Sequence, residues 1–289
     1  MSNRTVLVIG GGTMGRGIAG VCALAGFETA VFEADAQARS RLREAIQGGW
    51  RKAVERGKVS SQAAEEAGRR LRVIEDLEES RGAALAIEAI PEILEAKKET
   101  FLVLDRLLPE AVLASNTSSL SIGELAGATR RPQRVIGIHF FNPVAVMPLV
   151  EIVRGPATSR ETVEAAAEFV AAIGKQAIHV TDSPGFATSR LGLALGLEAM
   201  RMVEEGVAGA ADIDRAMELG YGHRMGPLKT TDLVGLDVRL SIAEALSSGL
   251  NEERFRPPDL LRRMVAEGRT GKKSGEGFYR WDGDKPVEK

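Results

Sequence analysis

The sequence is poor in cysteine and carries almost no net charge, and each scarcity excludes a class of protein. The single Cys22 excludes an internal disulfide and a CxxC metal or redox site, and it fits a reducing compartment. Lys and Arg number 38 against 40 Asp and Glu, a net charge of -2, so no overall field recruits nucleic acid or an anionic membrane. We expect neither as a partner.

Long apolar runs are also missing. The N-terminal segment MSNRTVLVIGGG has only about five apolar residues before glycine, too few for a signal peptide or a spanning helix. The stretch GFATSRLGLALGLEAMRMV is interrupted by Arg190 and Glu198, which is typical of a core or subunit-interface helix rather than a membrane helix. We therefore predict a soluble, cytoplasmic protein.

A glycine cluster follows the first apolar run. The segment TVLVIGGGTMGRGIAGVCALAGFETAVFEAD has the pattern of a strand, a helix and a second strand. Gly10, Gly12 and Gly15 form G-x-G-x-x-G at the first junction, which allows a tight turn, close approach to a pyrophosphate and tight helix–strand packing. A glycine-rich turn without a ligand is the alternative, but the strand–helix–strand context favours a dinucleotide.

Glu33 ends the second apolar run of this unit. At this spacing a carboxylate accepts hydrogen bonds from the adenosine ribose hydroxyls. The same charge would repel a 2′-phosphate. The sequence therefore favours NAD over NADP.

Further apolar runs alternate with helical stretches up to about residue 180. Predicted strands lie at 72–74, 83–90, 111–115, 134–139, 149–153 and 176–180. Predicted helices lie near 36–56, 60–70, 95–108 and 159–173. Run-like hydrophobicity suits strands covered on both faces, so residues 1–183 are predicted to form a doubly wound, Rossmann-type α/β domain with a mostly parallel sheet.

After TDSPGF (181–186) the pattern becomes helical only. Helices are predicted near 185–205, 210–220, 226–248 and 257–267. We place the junction at Pro184 and predict an all-helical domain over 184–289.

The segment ASNTSSLSIG (114–123) crowds small polar side chains at the end of a predicted strand: Asn116, Thr117, Ser118, Ser119 and Ser121. Turn and capping chemistry alone can explain such residues. However, the ligand of a doubly wound sheet is expected beyond the carboxyl ends of its strands.

His139 ends another predicted strand, and Glu151 lies in the following apolar run. A return strand can bring this carboxylate beside the imidazole, where it would fix the tautomer. Oxidation of an alcohol by NAD needs a base for the hydroxyl proton, and histidine has the closest unperturbed pKa. A lone histidine at a strand end is commonly structural, but its combination with the polar segment favours catalysis.

Nine segments of the chain together resemble a known family. In order they are GGGTMGRGIA, IEAIPE, ASNTSSLSI, IGIHFFNPV, LVEIV, DSPGF, DIDRAMELGYGHRMGP, DLVGLD and GKKSGEGFYRW. They resemble the L-3-hydroxyacyl-CoA dehydrogenases, including bacterial 3-hydroxybutyryl-CoA dehydrogenases. The resemblance implies NAD-dependent oxidation of the 3-hydroxyl of a short- to medium-chain acyl-CoA in fatty-acid β-oxidation, and a homodimer formed through the C-terminal helical domain.

The resemblance also implies roles for single residues. The family's catalytic histidine falls on His139, its partner carboxylate on Glu151 and its substrate-binding serine on Ser118. Its cofactor contacts fall on Gly10, Gly12, Thr13, Met14, Gly15, Glu33, Glu92, Lys97, Asn142 and Lys273.

For the CoA tail, the segment GGWRKAVERGK (48–58) is predicted to be helical and to carry four cations, namely Arg51, Lys52, Arg56 and Lys58. They would offer charge to the CoA phosphates, with Arg56 on the family's CoA-contacting lysine. A solvated basic face is the alternative.

Three positions depart from the family. Ser189 stands near the substrate where an asparagine is common, Pro148 where a lysine is frequent and Gly49 where a serine is often found. These departures bear on chain length and rate rather than on the reaction type. Two other functions stay open from the sequence: an NAD-dependent dehydrogenase of a free hydroxy acid or sugar acid, and a non-catalytic NAD-binding protein.

Overall fold

Residues 5–288 are described by a computed structural model. Met1–Arg4 and Lys289 lie outside the described residues, and so does the start of the segment considered above as a signal peptide. The chain divides into two units, Met1–Ser183 and Pro184–Lys289. No helix within residues 5–288 is long and apolar enough to cross a membrane.

The N-terminal unit is built on one eight-stranded sheet. Its strands are β1 (Thr5–Ile9), β2 (Glu28–Phe32), β3 (Leu71–Ile74), β4 (Leu85–Glu88), β5 (Val112–Ser115), β6 (Val135–Phe140), β7 (Leu149–Arg154) and β8 (Gln176–Thr181). Their order across the sheet is β3-β2-β1-β4-β5-β6-β7-β8. The first six strands are parallel, and β7 reverses direction against β6. The fold is thus the predicted mostly parallel, doubly wound sheet.

Helices connect these strands close to the predicted positions. They are α1 (Thr13–Leu24), α2 (Ala36–Glu55), α3 (Ser61–Arg70), α4 (Leu94–Leu107), α5 (Ile122–Gly127) and α6 (Arg160–Ala172). Several begin at side chains that satisfy orphan N–H groups of the first turn: Asp35 accepts from Ala38, and Ser121 accepts from Glu124. The short α5 was not predicted because its six residues carry too little periodicity.

The strand order shows at which edge of the sheet a ligand is expected to bind. The connections diverge between β1 and β4, the topological switch point of a doubly wound sheet. All residues of β4, β5 and β6 are buried, as expected for strands covered on both faces. That expectation is wrong for β8, where Gln176, Ile178 and His179 are exposed, because β8 is the outermost strand.

The C-terminal unit is helical. Its helices are α7 (Thr188–Glu204), α8 (Ala210–Gly220), α9 (Pro227–Val234), α10 (Leu236–Leu250) and α11 (Asp259–Ala266). They pack around an apolar core that includes Leu197, Met200 and Leu236.

Two details of this unit differ from prediction. The single helix expected near 226–248 is two helices, because Gly235 has a φ of 104° that a helix cannot contain. The unit also contains a two-stranded antiparallel ribbon, β9 (Arg280–Asp282) with β10 (Lys285–Val287), so it is not helical throughout. Strands of three residues are too short to give a pattern in the sequence.

Candidate active site

A cavity of about 370 Å³ opens at the carboxyl ends of the central strands. It lies within the N-terminal unit. Eleven residues line it: Met14, Ala89, Ile90, Glu92, Lys97, Asn116, Ser118, His139, Phe140, Phe141 and Asn142. Seven of these follow or end β4, β5 and β6 directly, which is where ligands of doubly wound sheets bind.

His139 and Glu151 form a hydrogen-bonded pair at this cavity. The antiparallel register of β6 and β7 sets the two residues directly opposite each other. His139 Nδ1 lies 2.7 Å from Glu151 Oε2, and the carboxylate is fully buried while the imidazole is 9% exposed. The Phe141 ring, 4.6 Å from the imidazole between centroids, packs against it. Because a buried carboxylate accepts the Nδ1 proton, the tautomer with an acceptor at Nε2 is favoured.

The polar segment after β5 divides into two groups. Thr117 Oγ1 accepts from the backbone N–H of Leu120 at 2.9 Å, and Ser121 caps α5. Asn116 and Ser118 line the cavity instead. The sequence left two interpretations of this segment open, turn and capping chemistry or a position at the ligand. Each of them applies to different residues of the segment.

Ser118 is held through its backbone. Its N–H donates to Glu92 Oε1 at 3.0 Å, and the same oxygen accepts from the hydroxyls of Thr117 and Ser119. The Ser118 hydroxyl itself has no hydrogen bond to residues 5–288, so the side chain can bond a ligand. Burial would raise the pKa of Glu92, but the Lys97 ammonium and the hydrogen bonds from Thr117 and Ser118 outweigh it and lower that pKa.

Beneath this loop lies a buried ionic network. Lys97 Nζ contacts Glu88 Oε1 at 2.6 Å, Glu92 Oε2 at 3.1 Å and the Ile90 carbonyl oxygen at 3.3 Å. Glu88 also accepts from Ser115 Oγ at 2.6 Å and from the Ile90 N–H at 2.8 Å. The network thus ties α4 to the loops that follow β4 and β5.

The glycine motif has the geometry that a dinucleotide requires. A Cβ on Gly10 would lie 2.7 Å from the Ala89 carbonyl oxygen, and one on Gly15 would lie 1.8 Å from the Gly10 carbonyl oxygen. Around Gly12, by contrast, no atom of residues 5–288 other than its chain neighbours and the adjoining helix backbone lies within 4 Å of the Cβ position, which leaves space for a ligand. No side chain in the described part of the chain caps the N-terminus of α1, which begins at Thr13. Its N–H groups suit an anion, so these residues fit the pyrophosphate of NAD.

Glu33 lies at the end of β2, beside the glycine loop. Its Oε2 accepts from the Gly11 N–H at 2.7 Å and its Oε1 accepts from the Asp35 N–H at 2.9 Å. These bonds hold the carboxylate at the position expected for a ribose-binding acid. The carboxylate has further lone pairs with which to accept ribose hydroxyls.

The four cations predicted to share one helix in segment 48–58 do not all lie on it. Lys52 and Arg56 are exposed at the end of α2. Arg51 forms an ion pair with Glu44. Lys58 lies beyond the helix, which ends at Glu55, so the prediction of a helix over the whole of 48–58 is wrong for its last residues. The chain turns there at Gly57, with a φ of 65°.

The remaining predicted site residues fall in two places. Asn142 is exposed and lines the cavity. Ser189, in the first turn of α7, and Lys273, which pairs with Asp237 at 2.5 Å, belong to the C-terminal unit.

Sequence reasoning did not select Glu88 or Ser115, and it named Asn116 only as a member of the polar segment, although each contributes to the cavity region. Asn116 Oδ1 accepts from the Phe140 N–H at 2.9 Å and so joins the ends of β5 and β6. Glu88 carried a detectable signal, because an ionisable residue inside the apolar run LAIE must be paired when buried.

Comparison with known proteins agrees with this geometry. The family model for the NAD-binding domain of 3-hydroxyacyl-CoA dehydrogenases matches residues 5–183, and that for their C-terminal domain matches residues 185–281. A probable 3-hydroxybutyryl-CoA dehydrogenase of Bacillus subtilis is 44% identical over 283 residues, which is 98% of this chain and 99% of the relative.

A 3-hydroxybutyryl-CoA dehydrogenase of Mycobacterium tuberculosis is 44% identical over 275 residues, covering 94% of this chain and 96% of the relative. The crystal structure of an (S)-3-hydroxybutyryl-CoA dehydrogenase from Ralstonia eutropha superposes with a TM-score of 0.94 at 35% identity, covering 97% of this chain and all of that one. The predictions of an NAD-binding Rossmann domain and of NAD as cofactor are confirmed, and the chain belongs to the 3-hydroxyacyl-CoA dehydrogenase family.

Proposed function

We propose that the protein oxidises the 3-hydroxyl of short- to medium-chain L-3-hydroxyacyl-CoA, such as 3-hydroxybutyryl-CoA, to the 3-ketone with NAD. The observation that carries the proposal is the His139–Glu151 pair, 2.7 Å apart, at a cavity that Ser118 also lines. These three residues supply the base, its orienting carboxylate and a hydrogen bond to the reacting oxygen. When bound, NAD supplies the hydride acceptor.

His139 takes the hydroxyl proton of the substrate. With Nδ1 bonded to Glu151, the imidazole accepts this proton at Nε2, and the buried carboxylate stabilises the resulting imidazolium. In the reverse direction the imidazolium returns the proton to the oxygen. Proton transfer by a positioned base of this kind contributes about 10²- to 10⁴-fold to the rate.

Ser118 aligns the substrate. Its hydroxyl bonds the oxygen as the oxygen changes from alcohol to carbonyl, and its backbone is held by Glu92. Because Glu92 is held by Lys97 in turn, the buried network sets the position of this serine.

Two sets of residues hold the cofactor. Gly10, Gly12, Thr13, Met14 and Gly15 approach the pyrophosphate, and Glu33 selects the ribose of NAD against that of NADP. Glu92, Lys97, Asn142 and Lys273 complete the set by family resemblance. Three of these four line the cavity.

The proposal also covers the binding of the CoA tail and the formation of a homodimer. Lys52 and Arg56, both exposed and without an ion pair among residues 5–288, bind CoA phosphate, and Ser189 contacts the substrate. Large apolar side chains of the C-terminal unit support a homodimer, since Leu191, Leu219 and Tyr221 are 71%, 80% and 79% exposed. We place the enzyme in the cytoplasm and in fatty-acid β-oxidation.

The test is consumption of NADH with a panel of 3-ketoacyl-CoA thioesters beside the matching free 3-keto acids. Reduction of the thioesters alone supports the proposal. Preference for free acids favours a dehydrogenase of free hydroxy acids or sugar acids, and no turnover despite NADH binding favours a non-catalytic NAD-binding protein.

A further inference from the structure

Asn116 lines the cavity with a side-chain amide of which only the oxygen is bonded within the described chain. Its Oδ1 accepts from the Phe140 N–H at 2.9 Å. Its Nδ2 amino group has no hydrogen bond to residues 5–288. The orientation of the amide is fixed, because a backbone N–H can bond only to the oxygen. The amino group therefore remains as a donor for a ligand of the cavity.

Asn116 is the first residue after β5 and lies at the end of the sheet itself. Its backbone N–H continues the ladder and donates to the Glu88 carbonyl oxygen at 2.8 Å. Phe140, whose N–H the side chain holds, is the last residue of β6 and follows His139 directly. One side chain thus joins the ends of two neighbouring strands next to the residue assigned as the base. Ser118, which we assign to the substrate oxygen, lies two residues further along the loop.

The nicotinamide half of NAD is expected over these strand ends. With the pyrophosphate at the glycine loop and the adenosine ribose at Glu33, the adenosine half lies at β1 and β2. Across the switch point between β1 and β4, the other half extends toward the ends of β4, β5 and β6. Met14 of the glycine motif lines the same cavity as Asn116. The cavity therefore connects the pyrophosphate site with the strand ends that Asn116 joins.

The carboxamide of the nicotinamide ring needs a donor of this kind. Its carbonyl oxygen loses water when the ring is buried, which is costly unless another donor replaces the water. Lys97, the charged donor of the cavity, already has its ammonium within 3.3 Å of three oxygens. A neutral donor such as the amide of Asn116 also suits the ring in both oxidation states, since the ring is cationic in NAD and uncharged in NADH.

We propose that Asn116 Nδ2 donates a hydrogen bond to the carboxamide oxygen of the nicotinamide and so holds the ring beside His139. The inference rests on the proposed function, which puts the nicotinamide in this cavity. Because the same side chain holds the Phe140 N–H, it sets the position of the ring relative to the strand that carries the base. Hydride transfer depends on such positioning, since a small misplacement of the reacting atoms lowers the rate.

The experiment measures by titration calorimetry the Kd of NADH and that of ADP-ribose, which lacks the nicotinamide ring. Asn116→Asp keeps an oxygen for the Phe140 N–H but replaces the amino group by a second oxygen, which repels the carboxamide oxygen. It should raise the Kd of NADH roughly 10-fold or more relative to that of ADP-ribose. Asn116→Ala should raise it about 2- to 10-fold, the range for the loss of one neutral hydrogen bond. Only Asn116→Ala also leaves the Phe140 N–H without its acceptor, so it should lower stability in denaturant unfolding more than Asn116→Asp.

The matched control is Asn251→Asp, the same change at an exposed asparagine that follows α10, which should alter neither affinity. If Asn116→Ala does not fold, Asn116→Asp still decides. An unchanged Kd of NADH, or an equal loss of affinity for NADH and ADP-ribose, would overturn the proposal. The titration uses no acyl-CoA, so this result would leave the proposed oxidation of acyl-CoA intact. Conversely, a lack of turnover with every thioester would reject that activity, while the contact of Asn116 with the ring is still measured by the titration.

Discussion

Lys97 and Glu88 form an ion pair that is almost completely withdrawn from water, with side-chain exposures of 1% and 0% and 2.6 Å between Nζ and Oε1. Lys97 lines the cavity and also contacts Glu92, which holds the backbone of Ser118. A charge pair in the interior thereby sets the position of a side chain at the surface of the cavity.

Glu88→Gln should therefore impair both stability and turnover. Removal of one partner of a buried ion pair leaves the other charge uncompensated, which costs about 3 to 5 kcal/mol; contact with Glu92 should keep the loss near the lower end. Denaturant unfolding measures the loss of stability, and steady-state kinetics should show a lowered kcat because the network no longer positions Ser118. The matched control is Glu164→Gln, which breaks the exposed Arg160–Glu164 pair and should cost less than about 0.5 kcal/mol. Equal losses in the two variants would contradict the role of the network.

His139→Ala should abolish most turnover while NAD binding survives. Loss of a general base lowers kcat by about 10²-fold or more, whereas the glycine loop that holds the cofactor is unchanged. Turnover is followed by NADH absorbance and binding by quenching of protein fluorescence. Glu151→Gln, which keeps the shape but not the charge, should give an intermediate loss. Wild-type turnover in His139→Ala would refute the assignment of the base.

Glu33→Ala should change cofactor choice. Without the carboxylate, NAD loses its ribose acceptor and the 2′-phosphate of NADP is no longer repelled. We expect the ratio of kcat/KM for NADH over NADPH to fall by about 10-fold or more, the loss of one charged hydrogen bond. An unchanged ratio would mean that Glu33 only stabilises the glycine loop, through its hydrogen bond from the Gly11 N–H, and does not select the cofactor.

Lys52 and Arg56, which form no ion pair among residues 5–288, should matter more for CoA binding than Arg51 and Lys58. The double variant Lys52→Gln, Arg56→Gln should raise the KM for CoA thioesters, and added salt should reduce the difference from wild type. The matched control neutralises Arg51 and Lys58, of which the first is already paired with Glu44 and the second lies three residues beyond the end of α2, past the turn at Gly57. If both double variants behave alike, or neither raises KM, the basic segment is a solvated face.

Glu92 should contribute to acid sensitivity. Its pKa is lowered in the folded protein from the ordinary value of 4.5. A depressed carboxyl pKa stabilises the fold above the unfolded pKa, and this contribution is lost as pH falls from about 4.5 through the folded value. In urea unfolding between pH 7 and pH 3, Glu92→Gln should therefore lose less stability on acidification than wild type. A parallel loss in both proteins would contradict the prediction.

Much of the fold was predictable because its signals are local. The strands β4, β5 and β6 are short apolar runs, and the helix α4 between β4 and β5 is long enough to show a clear period. The glycine motif was interpretable because each of its three glycines is required for a different steric reason. At Gly10 and Gly15 the structure shows the atoms that a Cβ would contact. The break at Gly235 was missed, since a glycine inside a helical pattern is often tolerated and only its φ of 104° separates α9 from α10.

The sequence by itself determined the alternation of strands and helices, the glycine turn that suits a dinucleotide, and the identity of the histidine and carboxylates available for chemistry. Only the tertiary structure decided which of these meet. His139 faces Glu151 because β7 runs antiparallel to β6 in one register, and Lys97 lies between Glu88 and Glu92 because α4 packs against the ends of β4 and β5. Such contacts join residues up to 27 positions apart, as between Ser115 and Glu88, and no local period encodes them.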